Sequence, residues 1–312
     1  MATSQQFLPQ DNSSLTNFKA WAKALSDQIR TFGWTNSSDT GQLNGVGGGV
    51  GGSAGWAAVP AAPGSGVYWY EIFKPGDGLT PFYLKVEYGN ASTNLPTVRL
   101  TLSSSTNGAG TPTGYISTTV NCIASGSYTA GGATPYECDF SGDSGRLCMM
   151  MWRNGPGPMG FCVQRSLDSS GNATGTYATL WTMGFTGGSN AGGTQQSIHF
   201  TAGVGFHFGN VTTSGGNQTG IPCLGANFAG SLGTSAFNGA IPISFAQPCV
   251  GTWDYPCTAI GGAYKGDITE GVPFTVSNQY GQSKTYMPTK TGLGMNVTMA
   301  PTGQLAVCME YD

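Results

Sequence analysis

The residues most suggestive of chemistry are Gly142-Asp143-Ser144-Gly145, a serine set among turn-forming neighbours. A serine becomes a nucleophile when a histidine takes its proton, a buried aspartate orients that histidine, and backbone donors hold the oxyanion. In the trypsin-like arrangement that uses this tetrapeptide, His and Asp precede the Ser. Here the two histidines, His199 and His207, follow it, and Arg146 replaces the glycine that usually comes next. The tetrapeptide is therefore expected to be a β turn, with Asp143 and Gly145 as turn formers.

Other chemistry-bearing residues are weaker. His199 and His207 are each flanked by phenylalanine and lack a nearby carboxylate cluster, so they read as structural histidines rather than metal ligands. Glu71, Asp77 and Glu87 form one loose acidic group, and Asp254, Asp267 and Glu270 another. A glycosidase needs a carboxyl pair roughly 5–10 Å apart beside a sugar cleft, and nothing in these spacings points to one. The eight cysteines contain no C-x-x-C and are expected to act mostly as small buried hydrophobes. Cys249 and Cys257 flank the turn-rich VGTWDYP, where a hairpin would bring them together as a disulfide. In the same loop Trp253 and Tyr255, with Trp181 and Tyr264 elsewhere, are the aromatics placed to stack on a glycan; packing is the competing role. The expectation is a protein that is not an enzyme and takes neither cofactor nor metal.

These residues must be held by a chain that is largely strand and turn. One segment reads as helix: from Ser14 to Phe32, the residues Leu15, Phe18, Ala22, Leu25, Ile29 and Phe32 recur at alternating steps of three and four. Asn12, Ser13 and Ser14 offer an N-cap, and Gly33 a left-handed C-cap. The apolar stripe needs a partner, either the chain's own β domain or the same helix of neighbouring subunits in an oligomerisation or docking role. After Trp34 comes a glycine-dominated stretch of small residues without the Gly-Lys-Ser/Thr ending of a phosphate-binding loop, read as an arm lying against protein.

From Val67 the period becomes two. Phe82, Leu84, Val86 and Tyr88 alternate with Tyr83, Lys85 and Glu87, and Val98, Leu100 and Leu102 repeat the pattern. Further strands are expected at VYWYEIF, YISTTVNC, RLCMMMW, FCVQRSL and TYATLWTM, separated by turn-rich segments. The fold class is mainly β: antiparallel β-sandwich architecture with one N-terminal amphipathic helix and a Gly-rich arm. The expected organisation is an N-terminal segment and helix over 1–35, the arm over 36–66, a β-sandwich over 67–190 and a second β region over 191–312. That last region is either a separate sandwich or strands completing the first.

Composition narrows the function classes. Charged residues are 9% of the 312, against roughly 25% in an average globular protein, and the net charge is -3. An exterior of Ser, Thr, Asn, Gln and Gly fits burial against neighbours, so a homo-oligomer is expected, with a trimer favoured. The 12 Lys and Arg are scattered among 15 Asp and Glu, which removes the basic stripe a nucleic-acid partner needs. No stretch approaches 18 consecutive apolar residues, and the first ten residues lack a basic patch followed by an apolar run. Neither a membrane span nor a secretion signal is expected.

The strings SSDTGQLN, YEIFKPGDGLTPFYLKVEYG, LTLSSSTNGAGTPTG, SGDSGRL and FCVQRSLDSSGNATG, in this order between Leu15 and Trp181, resemble a family of virion structural proteins of tailed bacteriophages. The resemblance implies a structural component assembled in the host cytoplasm and displayed on the particle exterior, with other virion proteins as partners. It carries over no active residue. The resemblance leaves the position in the particle open; the β domains, suited to meeting a host surface, make an exterior tail, baseplate or fibre-associated protein the expectation, with host-surface glycan contact as a further role. A capsid decoration (cement) protein and a carbohydrate-binding adhesin module are the alternatives.

Overall fold

The computed structural model describes residues 2–7, 17–43, 55–90, 96–117, 119–124, 136–152, 159–168, 170–184, 192–199, 243–246, 257–264, 272–277, 282–288 and 305–311. The chain is mainly β, with antiparallel sheets and one N-terminal helix. In order, the first elements are β1 (Ala2–Phe7), α1 (Phe18–Thr31), β2 (Thr35–Asn36), a 3-10 turn (Trp56–Ala58), β3 (Tyr68–Lys74), β4 (Tyr83–Asn90), β5 (Pro96–Thr106), β6 (Pro112–Ile116) and β7 (Val120–Ala124). They are followed by β8 (Tyr136–Asp143), β9 (Arg146–Trp152), β10 (Met159–Leu167), β11 (Ala173–Gly184) and β12 (Gly192–His199). The last are β13 (Ile243–Ala246), β14 (Cys257–Tyr264), β15 (Phe274–Ser277), β16 (Ser283–Pro288) and β17 (Leu305–Glu310).

One sheet runs β2-β3-β4-β5-β6, with β7 also pairing with β5. Its β4 is the half-wet strand expected from the sequence: Leu84, Val86 and Tyr88 are fully buried opposite Leu102, Leu100 and Val98, while Tyr83, Lys85 and Glu87 stay partly exposed. A second sheet runs β1-β8-β9-β10-β11-β12. From it Phe140, Leu147, Met149, Phe161, Val163 and Leu180 face the same core as the first sheet. The two sheets thus pack in sandwich fashion around one apolar interior.

The second sheet is buried on its other face too. Cys148, Met150 and Cys162, which alternate with the core-facing residues, are at most 1% exposed. This explains the uninterrupted apolar run of RLCMMMW, since a strand covered on both faces loses its polar alternation. Part of the cover is a third sheet, β13-β14-β17-β16-β15. Its β14 lies against β9 and β10, and Ser141 Oγ donates to the Glu310 carbonyl on β17. Gly192–His199 extends the second sheet beside β11, and the later strands form a sheet of their own that docks on it.

The helix departs from expectation at its start. It begins at Phe18, with Asn17 in the N-cap position and no side-chain capping bond; Asn12, Ser13, Ser14 and Leu15 lie outside the described residues. Gly33 follows the C-cap with φ 88°, the left-handed conformation anticipated for it. Phe18, Ala22, Leu25, Ile29 and Phe32 are all buried in the chain's own core. Trp21, Ser26 and Gln28 are buried alongside them, so the covered face is wider than the narrow a/d seam that self-association uses. The described residues of the stripe are therefore part of the chain's own core. The glycine-rich arm behaves likewise where it is described, because Leu43, Trp56 and Val59 enter the same core.

Candidate functional site

The Gly142-Asp143-Ser144-Gly145 segment is a two-residue hairpin turn. Asp143 ends β8 opposite Arg146 at the start of β9, and the Gly145 N–H donates to Asp143 Oδ1 at 2.8 Å. The hairpin is gripped rather than open. The Trp34 indole donates to the Asp143 carbonyl at 2.9 Å, and the Gly76 N–H donates to the Ser144 carbonyl at 2.9 Å. A Cβ on Gly76 would run into the Gly33 carbonyl, so only glycine allows these three turns to nest. His199 sits on β12, three strands across from β9, which is about 14 Å at the usual strand spacing. That separation keeps its imidazole from serving Ser144 as a base.

Beside the hairpin, Asp77 closes the turn between β3 and β4 through the Leu79 N–H at 3.1 Å. It also receives two bonds from Arg165 of β10, from Nε and, at 2.9 Å, from Nη2. The guanidinium lies 4.9 Å from the centre of the Phe82 ring. Asp77, Gly145 and Arg165 come from three segments far apart in the sequence, and they meet at one point. Two more segments meet at a second. Asp39 accepts from Ser37 Oγ at 2.6 Å, from Thr106 Oγ1 at 2.8 Å and from the Gly110 N–H at 3.0 Å. Burial pushes its carboxyl up, but these donors outweigh burial and hold it below its ordinary value.

A third junction lies between helix and sheet. Glu71, fully buried on the core side of β3, accepts from Arg30 of α1 and, at 3.3 Å, from the Tyr88 hydroxyl. Arg30 also donates to Asn36 at 2.8 Å. Burial raises the Glu71 carboxyl above its usual range despite Arg30, and burial followed by the Glu71 charge pushes the Tyr88 hydroxyl well up. A fourth junction joins the second and third sheets, where Arg146 and Lys284 both pair with Glu310. What these arrangements do chemically is hold. Each carboxylate accepts from a donor on a distant segment: Asp39 from Thr106, Glu71 from Arg30, Asp77 from Arg165 and Glu310 from Arg146.

The outer face of the first sheet is more open. Arg99 stacks 3.5 Å from the Tyr68 ring centre, Lys85 lies 4.4 Å from that of Tyr70, and Glu87 pairs with Arg99 at 2.9 Å. All of these side chains are partly exposed. Tyrosine rings beside a fixed carboxylate and guanidinium form a surface able to stack on and hydrogen-bond a polyhydroxylated ligand.

No family model matches the chain, and neither a curated protein nor a solved structure is detectably similar to it. Its own geometry must carry the reading.

Trp253, Tyr255 and Cys249 lie outside the described residues, and Cys257 opens β14 with its backbone opposite Ala246. The pairing expected of Cys249 and Cys257 is thus neither formed nor broken among the described residues. Cys138, Cys148, Cys162 and Cys308 are buried, as their apolar settings suggested. Among the described residues, no cluster of three or more His, Cys, Asp or Glu is arranged to hold a metal, and no helix is long and apolar enough to cross a membrane. The junction residues Arg30, Asp39, Arg146, Arg165 and Glu310 were not singled out by sequence. A signal existed for Glu71: it shares strand parity with Trp69 and Phe73, so an inward charge demanded a buried partner.

Proposed function

We propose that this chain is a non-catalytic structural component of a tailed-bacteriophage virion, displayed on the exterior of the tail as a baseplate, tail-tip or fibre-associated protein. The observation that carries the reading is the use made of scarce charge. With charged residues at 9%, three ion pairs among the described residues join distant parts of the chain: Arg30 to Glu71, Asp77 to Arg165, and Arg146 to Glu310. Carboxylates tied to distant segments in this way brace a shape. So few charges leave much of the exterior to neutral hydrogen-bonding residues, which suits contact with other virion proteins and further copies of the chain.

The resemblance supports the same reading, because its five strings supply the residues of the two turn junctions. The test is composition of the particle: the chain should co-sediment with gradient-purified virions in a fixed, multiple copy number. Presence only in the lysate, outside particles, would refute it.

Host-surface glycan contact has one specific observation in its favour, the open face of Tyr68, Tyr70, Lys85, Glu87 and Arg99. Binding on a glycan array that is lost in Tyr70→Ala would support it; no binding to any glycan would reject it.

A further inference from the structure

The helix stripe is consumed by the chain's own core, so an assembled protein needs a different element to join its copies. β1 has the properties required. It is the terminal strand of the second sheet and pairs with β8 through six consecutive positions, from Ala2 opposite Ser141 to Phe7 opposite Tyr136. β8 is its one substantial neighbour among the described elements. Its residues, Ala-Thr-Ser-Gln-Gln-Phe, include no charge and no proline, the features that normally stop an edge strand from pairing with another chain. Nine residues, 8–16, separate it from Asn17 before the helix, and a segment of that length can span about 30 Å.

We infer that β1 is exchanged between copies, so that the β1 strand of one chain pairs with β8 of a second copy. The ladder is the same in either arrangement, with the same backbone donors and acceptors, so exchange between identical chains loses no hydrogen bond. The choice is set by concentration. A short linker gives an effective concentration of about 1 mM within one chain, and close neighbours in an assembly reach the same range. The inference rests on the reading of the chain as an assembly component and names the element that does the joining.

The register supplies the test. Gln5 lies opposite Cys138, and opposed residues in an antiparallel pair have Cα atoms about 4.5–5.5 Å apart, within disulfide range. Full-length Gln5→Cys is refolded at concentrations rising towards about 1 mM, oxidised, and run on a non-reducing gel, with Gln5→Cys/Cys138→Ala as control. Exchange predicts a shift from a monomer band to covalent dimers and higher species as concentration rises, lost in the control. A cross-linked monomer at every concentration would overturn the inference, as would no cross-link at all. Light scattering on the unmodified chain and on a variant lacking residues 1–9 gives a second reading. The shortened chain should be monomeric where the full chain is multimeric, and equal masses would refute exchange. Either failure leaves the virion assignment standing, since presence in purified particles tests that separately.

Discussion

Arg30 on the helix donates to Glu71 on the core face of β3, joining residues 41 positions apart inside an otherwise apolar interior. The pair fixes the helix rotation, because Asn36 and Tyr88 bind the same two groups from β2 and from β4.

Breaking that pair should be severe. Glu71→Gln removes the nearer of two carboxylates on the Arg30 guanidinium and leaves Asp27 at 3.8 Å; loss of one partner of a buried pair costs about 3–5 kcal/mol. The lower part of that range is expected, because the Arg30 side chain is 22% exposed. Urea unfolding of Glu71→Gln measures it. The double variant Arg30→Met/Glu71→Leu should recover most of the loss, since an apolar pair of similar volume removes both charges.

Asp39 predicts a pH dependence. Its folded value lies below the ordinary 3.8, so its contribution is fully present above pH 3.8 and is lost as pH falls through the folded value. Asp39→Asn should destabilise the chain by about 1–2 kcal/mol at neutral pH, through weakened charge-assisted hydrogen bonds. The gap between wild type and variant should narrow as pH drops below 3.8. Thermal melts of both proteins across acid pH check the sign; a gap that widens would contradict it.

Ser144 predicts a null result. With its turn gripped by Trp34 and Gly76 and His199 three strands away, it should not react with an organophosphorus probe. Ser144→Ala should change stability by no more than about 0.5 kcal/mol. Stoichiometric labelling of the native chain that is lost in Ser144→Ala would restore a nucleophilic role.

Much of this fold was legible where one physical rule dominates. The alternation in β4 marked a half-wet strand, the run around Met149 and Met150 marked one buried on both faces, and Gly33 marked the end of the helix. The helix partner was not legible. A stripe at steps of three and four is compatible with self-association and with a globular core, and only Trp21, Ser26 and Gln28, buried beside it, decide between them. The junctions were hidden for another reason. Asp77 and Arg165 are 88 residues apart, and no local pattern tells which distant cation a turn aspartate will meet. The strings were visible as strings, while their convergence depends on how the sheets pack.

The virion assignment is tested most directly by labelling intact phage particles with a gold-conjugated antibody against this chain and locating the gold by electron microscopy. Gold at the tail tip or baseplate is the predicted result. Gold over the capsid would make the chain a decoration protein and contradict the tail placement. Particles left unlabelled by an antibody that binds the purified chain would contradict display on the virion exterior altogether.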